Sequence, residues 1–347
     1  MRKAFAVTAA LALLCLGISA QADVFNLGPG LTNLETVPVG DPGNTGELSG
    51  GRICGAVDHG YRIATYEVTA AQYTDFLNHK AKTDPYGLYN ELMSASTTYG
   101  CGIERSGSGT LEDPYSYSVA NDEEHGTWAN RPVNYVSFWD SCRFANWLNN
   151  GQGTGDTETG TYTLNDYNGD DGSWILRNLG ATWFLTSEDE WYKAAYYKGG
   201  TDAGYWGYPT QNNAMPDNQL IDPDPGNNSN SRPIDGEFTI GPPYYRTPVG
   251  EFENSESAYV TFDQGGNVWE WNERLVAGGP GDRCLRGGSF IENAGYQHTA
   301  YPISYWPTLE VQHFGFRVGE VIPEPSSMLA LLAGLGGLGT LVRRRKK

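Results

Sequence analysis

The sequence predicts a loop-rich fold in which a few short helices and strands close over an aromatic core. Glycine supplies 45 of the 347 residues, aromatic residues 13% and charged residues 18%. Trp and Tyr bury large areas with few rotatable bonds, so they can fix a backbone that turns often. Helical periodicity surfaces three times, each time behind a capping pair of Ser or Thr with an acid or amide three residues on. Strand candidates are short and separated by Gly, Pro, Asn and Asp.

Taken in order, residues 24–52 show little periodicity and read as an extended lead-in, followed by a strand candidate over Tyr61 to Glu67. Thr69 and Gln72 open the first helix, with Tyr73, Phe76 and Leu77 on one face and an end expected near Asn78. Residues 94–127 read as loops and short strands in which Tyr115, Tyr117 and Val119 alternate. Ser137 and Asp140 open the second helix, whose inner face is Phe138, Cys142, Ala145 and Trp147 or Leu148, and Gly151 stops it. That spacing leaves Cys142 half-buried. A Gly, Asp and Asn-rich insertion over 151–173 precedes a strand at Ala181 to Leu185, and Ser187 with Glu190 opens the third helix through Trp191, Ala194 and Ala195. Residues 199–250 are nearly all loop. So much irregular backbone inside a domain calls for an organiser: a ligand, an ion or a partner surface.

Several separated motifs then fall in one order: Tyr66-Glu67-Val68-Thr69, Pro132-Val133-Asn134-Tyr135-Val136-Ser137, Leu185-Thr186-Ser187-Glu188-Asp189-Glu190-Trp191, Asp263-Gln264-Gly265-Gly266-Asn267-Val268-Trp269-Glu270-Trp271, Arg286-Gly287-Gly288-Ser289-Phe290 and Phe314-Gly315-Phe316-Arg317-Val318. Together they resemble the formylglycine-generating enzyme, or sulfatase-modifying factor, family, from about Ile63 to Val318. The resemblance implies a single α/β (α+β) domain, irregular and loop-rich, related in shape to C-type lectins, here given the bounds 61–320. It also implies bound calcium. Carried over by position, the ligands are the side chains of Asp263 and Glu270 and the carbonyls of Gly266 and Val268. Calcium takes six to eight hard oxygens, and Gly265-Gly266 lets carbonyls turn inward. The competing reading makes Glu270 one half of a buried salt bridge. A second calcium, which the resemblance places in the upstream loop near Asn228 to Asp235, has no residue-by-residue counterpart.

The family's oxidase chemistry resembles a thiol reaction in which two cysteines, shortly after the Gly-Gly-Ser segment, bind copper(I), an ion that needs soft thiolates. Counted forward from Gly287, those positions fall near Gln297 and Pro302, and no cysteine follows Cys284. Copper is therefore not expected. His298 and His313 are metal-capable, but a lone histidine is usually structural. No H-x-x-x-H pair, phosphate loop, G-x-S-x-G elbow or H-E-x-x-H motif occurs, so no catalytic residue is assigned. Formylglycine formation on a sulfatase cysteine, through a shifted ligand set, is the alternative reading.

The two ends of the chain point to export. Arg2 and Lys3 precede an apolar run, and Ala20-Gln21-Ala22 offers a small-x-small cleavage site, so residues 1–22 read as a signal peptide and 23–60 as the lead-in. At the other end Pro323-Glu324-Pro325 precedes apolar residues 328–342 and basic residues 343–347. The 15 apolar residues span about 22 Å as a helix, short for a permanent anchor. Segment 321–347 resembles the PEP-CTERM signal of Gram-negative bacteria, which implies an exosortase-type processing enzyme and a transient membrane stage before the cell surface or matrix.

Without both segments, 16 basic residues face 40 acidic ones, a net charge of −24. Such a field repels nucleic acid and anionic lipid. The remaining cysteines, Cys54, Cys101, Cys142 and Cys284, are even in number, which in an exported chain suggests disulfides of undetermined pairing. Tyr205, Trp206, Tyr208, Tyr244 and Tyr245 lie in the long loop, either packing it or stacking on sugar faces. A polysaccharide or a surface protein is the partner this allows, and the expected function is a calcium-stabilised, non-catalytic binding or structural protein of the cell envelope or exopolysaccharide matrix.

Overall fold

The computed structural model describes residues 32–122, 126–201, 203–277, 279 and 281–322. The segment read as a signal peptide and the Pro-Glu-Pro tail lie outside them. β1 (Thr36–Val39), β2 (Glu47–Ser49), β3 (Arg52–Cys54) and β4 (Tyr61–Ala64) precede α1 (Ala70–Lys80). Next come β5 (Ile103–Ser106), β6 (Ser116–Val119), β7 (Asn121–Asp122), β8 (Gly126–Thr127) and α2 (Phe138–Asn149). β9 (Trp183–Leu185), α3 (Glu188–Tyr196), β10 (Trp269–Leu275) and β11 (Arg283–Arg286) follow, then β12 (Ile303–Tyr305), β13 (Phe314–Gly315) and β14 (Val318–Val321).

Two four-stranded sheets organise the fold. The first runs β1-β4-β14-β9, antiparallel throughout, and the second runs β12-β11-β10-β13 with β13 parallel to β10. The segment read as a lead-in thus supplies β1 as a sheet edge, with Val37 opposite Ile63, and the β2–β3 hairpin. Its strands are only three or four residues long, too short for alternation to register in sequence.

All three helices open on the expected capping boxes at Thr69, Ser137 and Ser187. α1 runs to Lys80, past the expected end at Asn78. Its last turn is held from outside, because the Tyr117 hydroxyl donates to the Ala81 carbonyl at 2.8 Å. β4 stops at Ala64, earlier than the expected Glu67, because the carbonyls of Ala64 and Thr65 accept from the Arg317 guanidinium at 3.1 and 3.2 Å. β9 begins at Trp183 rather than Ala181, since the Thr182 amide turns aside to Asn149 Oδ1 at 2.8 Å.

α2 lies at the centre. Phe76 of α1 meets Phe144 and Trp147 of α2 at ring separations of 5.4 and 5.3 Å, and Phe144 meets Phe316 at 5.3 Å. Such ring pairs add about 0.5–1.5 kcal/mol beyond their burial. The Gly-rich insertion covers the polar side of α2: Arg143 pairs with Glu158, and Asn146 Nδ2 donates to the carbonyls of Thr157 and Tyr162. Cys142 is consequently fully buried, not half-buried. The expected disulfides are also corrected, because Cys54, Cys101, Cys142 and Cys284 are all free thiols, each enclosed by the core.

Candidate functional site

β10 places Trp269 and Trp271 on one face and Glu270 on the other, as a strand's two-residue period requires. Glu270 is fully buried and its two oxygens are in use. Oε2 accepts from Arg317 Nε at 2.6 Å and from Trp191 Nε1 at 2.7 Å, while Oε1 accepts from Arg317 Nη2 at 2.7 Å. The buried salt bridge, one of the two readings open for Glu270, is therefore present. Arg317 also donates to the carbonyls of Ala64, Thr65 and Phe262, so one guanidinium ties β10, β4 and the Phe262 loop together.

Asp263 adopts a positive φ of 58° and accepts from the Gly250 amide at 2.6 Å. Burial pushes its carboxyl up to about 6. Gly266, at φ 94°, presses on the Asn230 backbone so closely that an added Cβ would lie 2.4 Å from its carbonyl oxygen. The turn therefore requires glycine. Val268 is fully buried at the start of β10.

A residue that the sequence reading passed over completes this neighbourhood. Glu67 is 1% exposed, and neither of its carboxylate oxygens has a hydrogen-bond partner. Burial, then the charges of Asp263 and Glu270, hold it well above the usual carboxylate range, with Arg317 as the opposing influence. Three carboxylates thus share one guanidinium. The signal for Glu67 was its place in Tyr66-Glu67-Val68-Thr69, a charge flanked by core residues. No group of three His, Cys, Asp or Glu side chains is arranged around a single metal point among the described residues.

The positions counted for a copper pair have different neighbours and offer no thiolate. Gln297 is fully buried and donates to Ser229 Oγ at 2.8 Å, whereas Pro302 lies against Gly50. Beside the segment that follows Ser289, a cavity of about 290 Å³ is lined by Arg232, Ile234, Ile291, Glu292 and Tyr296, among others. No cysteine borders it. Burial raises all four thiols, Cys284 to about 12, which keeps them as thiols rather than as the thiolates a soft metal needs. His313 lies 3.8 Å from Glu292, and burial pushes it down to about 4. His298 accepts from the Ala300 amide at 3.1 Å and meets the Tyr208 ring edge-on.

The loop aromatics pack rather than project. Tyr208, Tyr244 and Tyr245 are buried, Tyr205 packs against Tyr192 and Tyr197, and Lys198 sits 4.4 Å from the Trp206 ring centre. Exposed rings lie elsewhere: Tyr296, Tyr301, Tyr305 and Trp306 in the C-terminal segments are 41–52% exposed, and Trp174, just after the Gly-rich insertion, is 42% exposed.

A second acidic group predicts a pH response. Burial raises Asp140 to about 7 and Glu310 to about 8, with Asp84 adding to both. A carboxyl whose folded value is raised contributes stability fully present below its unfolded value near 4, lost as pH rises through the folded one. The melting temperature is expected to fall between pH 6 and 9, on the order of 5 °C, and Glu310→Gln should flatten the fall. A melting temperature that rises over this interval would contradict the assignment.

Residues 55–321 match the family model described as the sulfatase-modifying factor enzyme 1-like domain, and residues 321–346 match the PEP-CTERM protein-sorting motif. No curated protein matches the chain. Among solved structures it is similar to CarF, with a TM-score of 0.54 and 21% identity, over 83% of this chain and 98% of CarF. It also aligns with PvdO from Pseudomonas aeruginosa, with a TM-score of 0.47 and 16% identity over 85% of this chain and 96% of PvdO. At these identities the CarF likeness speaks to the fold alone. The sorting motif marks the chain as exported and surface-sorted, and it implies processing by exosortase-type machinery. Since the family match covers most of the sequence and the fold agrees with it, this protein belongs to the sulfatase-modifying factor family.

Proposed function

We propose that the protein is a non-catalytic, calcium-stabilised member of its family that serves the cell envelope or exopolysaccharide matrix as a binding or structural module. The carrying observation is the placement of the thiols: all four are buried, and none lines the cavity that follows Ser289. A signal peptide over residues 1–22 delivers the chain in this reading, and the tail holds it at the membrane until processing. The exposed rings of Tyr296, Tyr301, Tyr305 and Trp306 supply faces on which sugars stack.

Calcium fits the site around β10 through its charge. Glu67, Asp263 and Glu270 face one Arg317, and the Glu67 oxygens have no partner. Glu67 and Asp263 would hold the ion together with the Gly266 and Val268 carbonyls, while Glu270 stands behind them on Arg317 and Trp191. When bound, the ion supplies positive charge that would otherwise have to come from protons on Glu67 and Asp263.

Adding calcium to metal-free protein at pH 7.5 is expected to raise the melting temperature, because a ligand held only by the folded state stabilises it by about 2.7 kcal/mol at a hundredfold excess over Kd. Glu67→Gln should lose most of that rise. Equal melting curves with calcium and with chelator would remove calcium from the proposal. The non-catalytic reading is tested separately, by incubating the protein with copper, oxygen and a Cys-x-Pro-x-Arg peptide; conversion of that cysteine to formylglycine would establish the oxidase instead.

A further inference from the structure

A cleft unrelated to the β10 site opens where α3 begins, between β3, β10 and β11. Its volume is about 270 Å³, just under the roughly 300–1,000 Å³ typical of drug-sized ligands. That suits a single ring-sized unit. Arg52, Arg177, Arg274 and Arg283 line it, with Ile175 and Leu176 as an apolar wall.

The arginines outnumber their partners. Glu188 accepts from Arg52, Arg274 and Arg286 together, and Arg52 also reaches Asp189. Arg177 is held by Glu190 and Glu273. Arg283, 2% exposed, donates to the main-chain carbonyls of Glu273, Gly172 and Ile175, and its Nε has no partner. Five guanidinium groups therefore stand among four carboxylates, leaving a positive excess in a body that is otherwise strongly acidic. Arg274 spends only Nη1 on Glu188, at 2.8 and 3.0 Å. Among the described residues its Nε and Nη2 make no hydrogen bond, and its side chain is 24% exposed. A guanidinium presents paired donors that match an oxyanion in two-point contact.

We propose that this cleft binds the acidic group of a sugar unit, a carboxylate or a sulfate, with the oxyanion on Arg274 and the ring's C–H face against Ile175 and Leu176. The choice of a sugar rests on the matrix reading above; the anion site itself rests on the arginine excess. A net-acidic surface repels anions generally, so binding at this cleft is local and selective.

The test uses the secreted mature protein, with D-galacturonate, galactose 6-sulfate and galactose titrated by calorimetry at low salt. At least one acidic sugar is expected to bind at least tenfold more tightly than galactose, and the two acidic arms identify which oxyanion the cleft takes. Arg274→Gln should weaken that binding at least tenfold. Leu176→Asp changes a residue that is 77% exposed, so the fold should survive while binding is lost. Equal binding of galactose, no binding of either acidic sugar, or full affinity in both variants would overturn the proposal. Retention of the host's polysaccharide by wild-type protein is measured in parallel. Polymer retained without acidic-sugar binding refutes the cleft alone, whereas acidic-sugar binding without polymer retention refutes the matrix reading alone.

Discussion

Arg317→Met is expected to destabilise the protein by about 3–5 kcal/mol, the usual cost of removing one partner from a buried ion pair. Glu270 would keep only the Trp191 contact on Oε2, and Glu67 and Asp263 would lose the nearby positive charge that moderates them. Three carbonyls, those of Ala64, Thr65 and Phe262, would lose a donor as well. With total stabilities of about 5–15 kcal/mol, that loss is a large fraction of the whole. Adding Glu270→Gln to Arg317→Met should recover part of the loss, since the stranded charge is then gone. Urea unfolding of both variants measures this, and a single variant as stable as the native protein would mean that Arg317 does not organise the site.

Trp271→Ala should cost a similar amount, about 3–5 kcal/mol, by a different route. Trp271 is fully buried, meets Phe314 at 5.2 Å and Phe138 at 6.2 Å, and donates Nε1 to the Val136 carbonyl at 3.0 Å. Alanine leaves a cavity where β10 crosses α2 and strands that carbonyl, while Trp271→Phe keeps part of the packing and should cost less. The melting temperature of the alanine variant is expected to drop by roughly 10 °C. Leu111→Ala, at a position 90% exposed, is the control and should change little. A drop no larger than the control's would place Trp271 outside the core.

The three helix starts, the family and the sorting tail were legible in the sequence because each rests on local chemistry. A capping box joins residues three apart, and a motif keeps its order whatever the loops between do. What the chain does with Glu270 was not legible in the same way. Its strand position follows from period two, but its partners, Arg317 and Trp191, are 47 and 79 positions away. Glu67 escaped notice for the same reason, since an unpartnered carboxylate is defined by what surrounds it. Disulfides were expected from an even count, and the structure leaves all four thiols buried and free.

The sequence alone determined that this is an exported, surface-sorted, sulfatase-modifying-factor domain lacking cysteines beyond Cys284. Only the tertiary structure decided which loop aromatics are buried, which rings near the C-terminus stay exposed, and that five arginines gather at the start of α3. Contacts between residues from about 50 to more than 130 positions apart set burial and charge balance, and no local pattern encodes them.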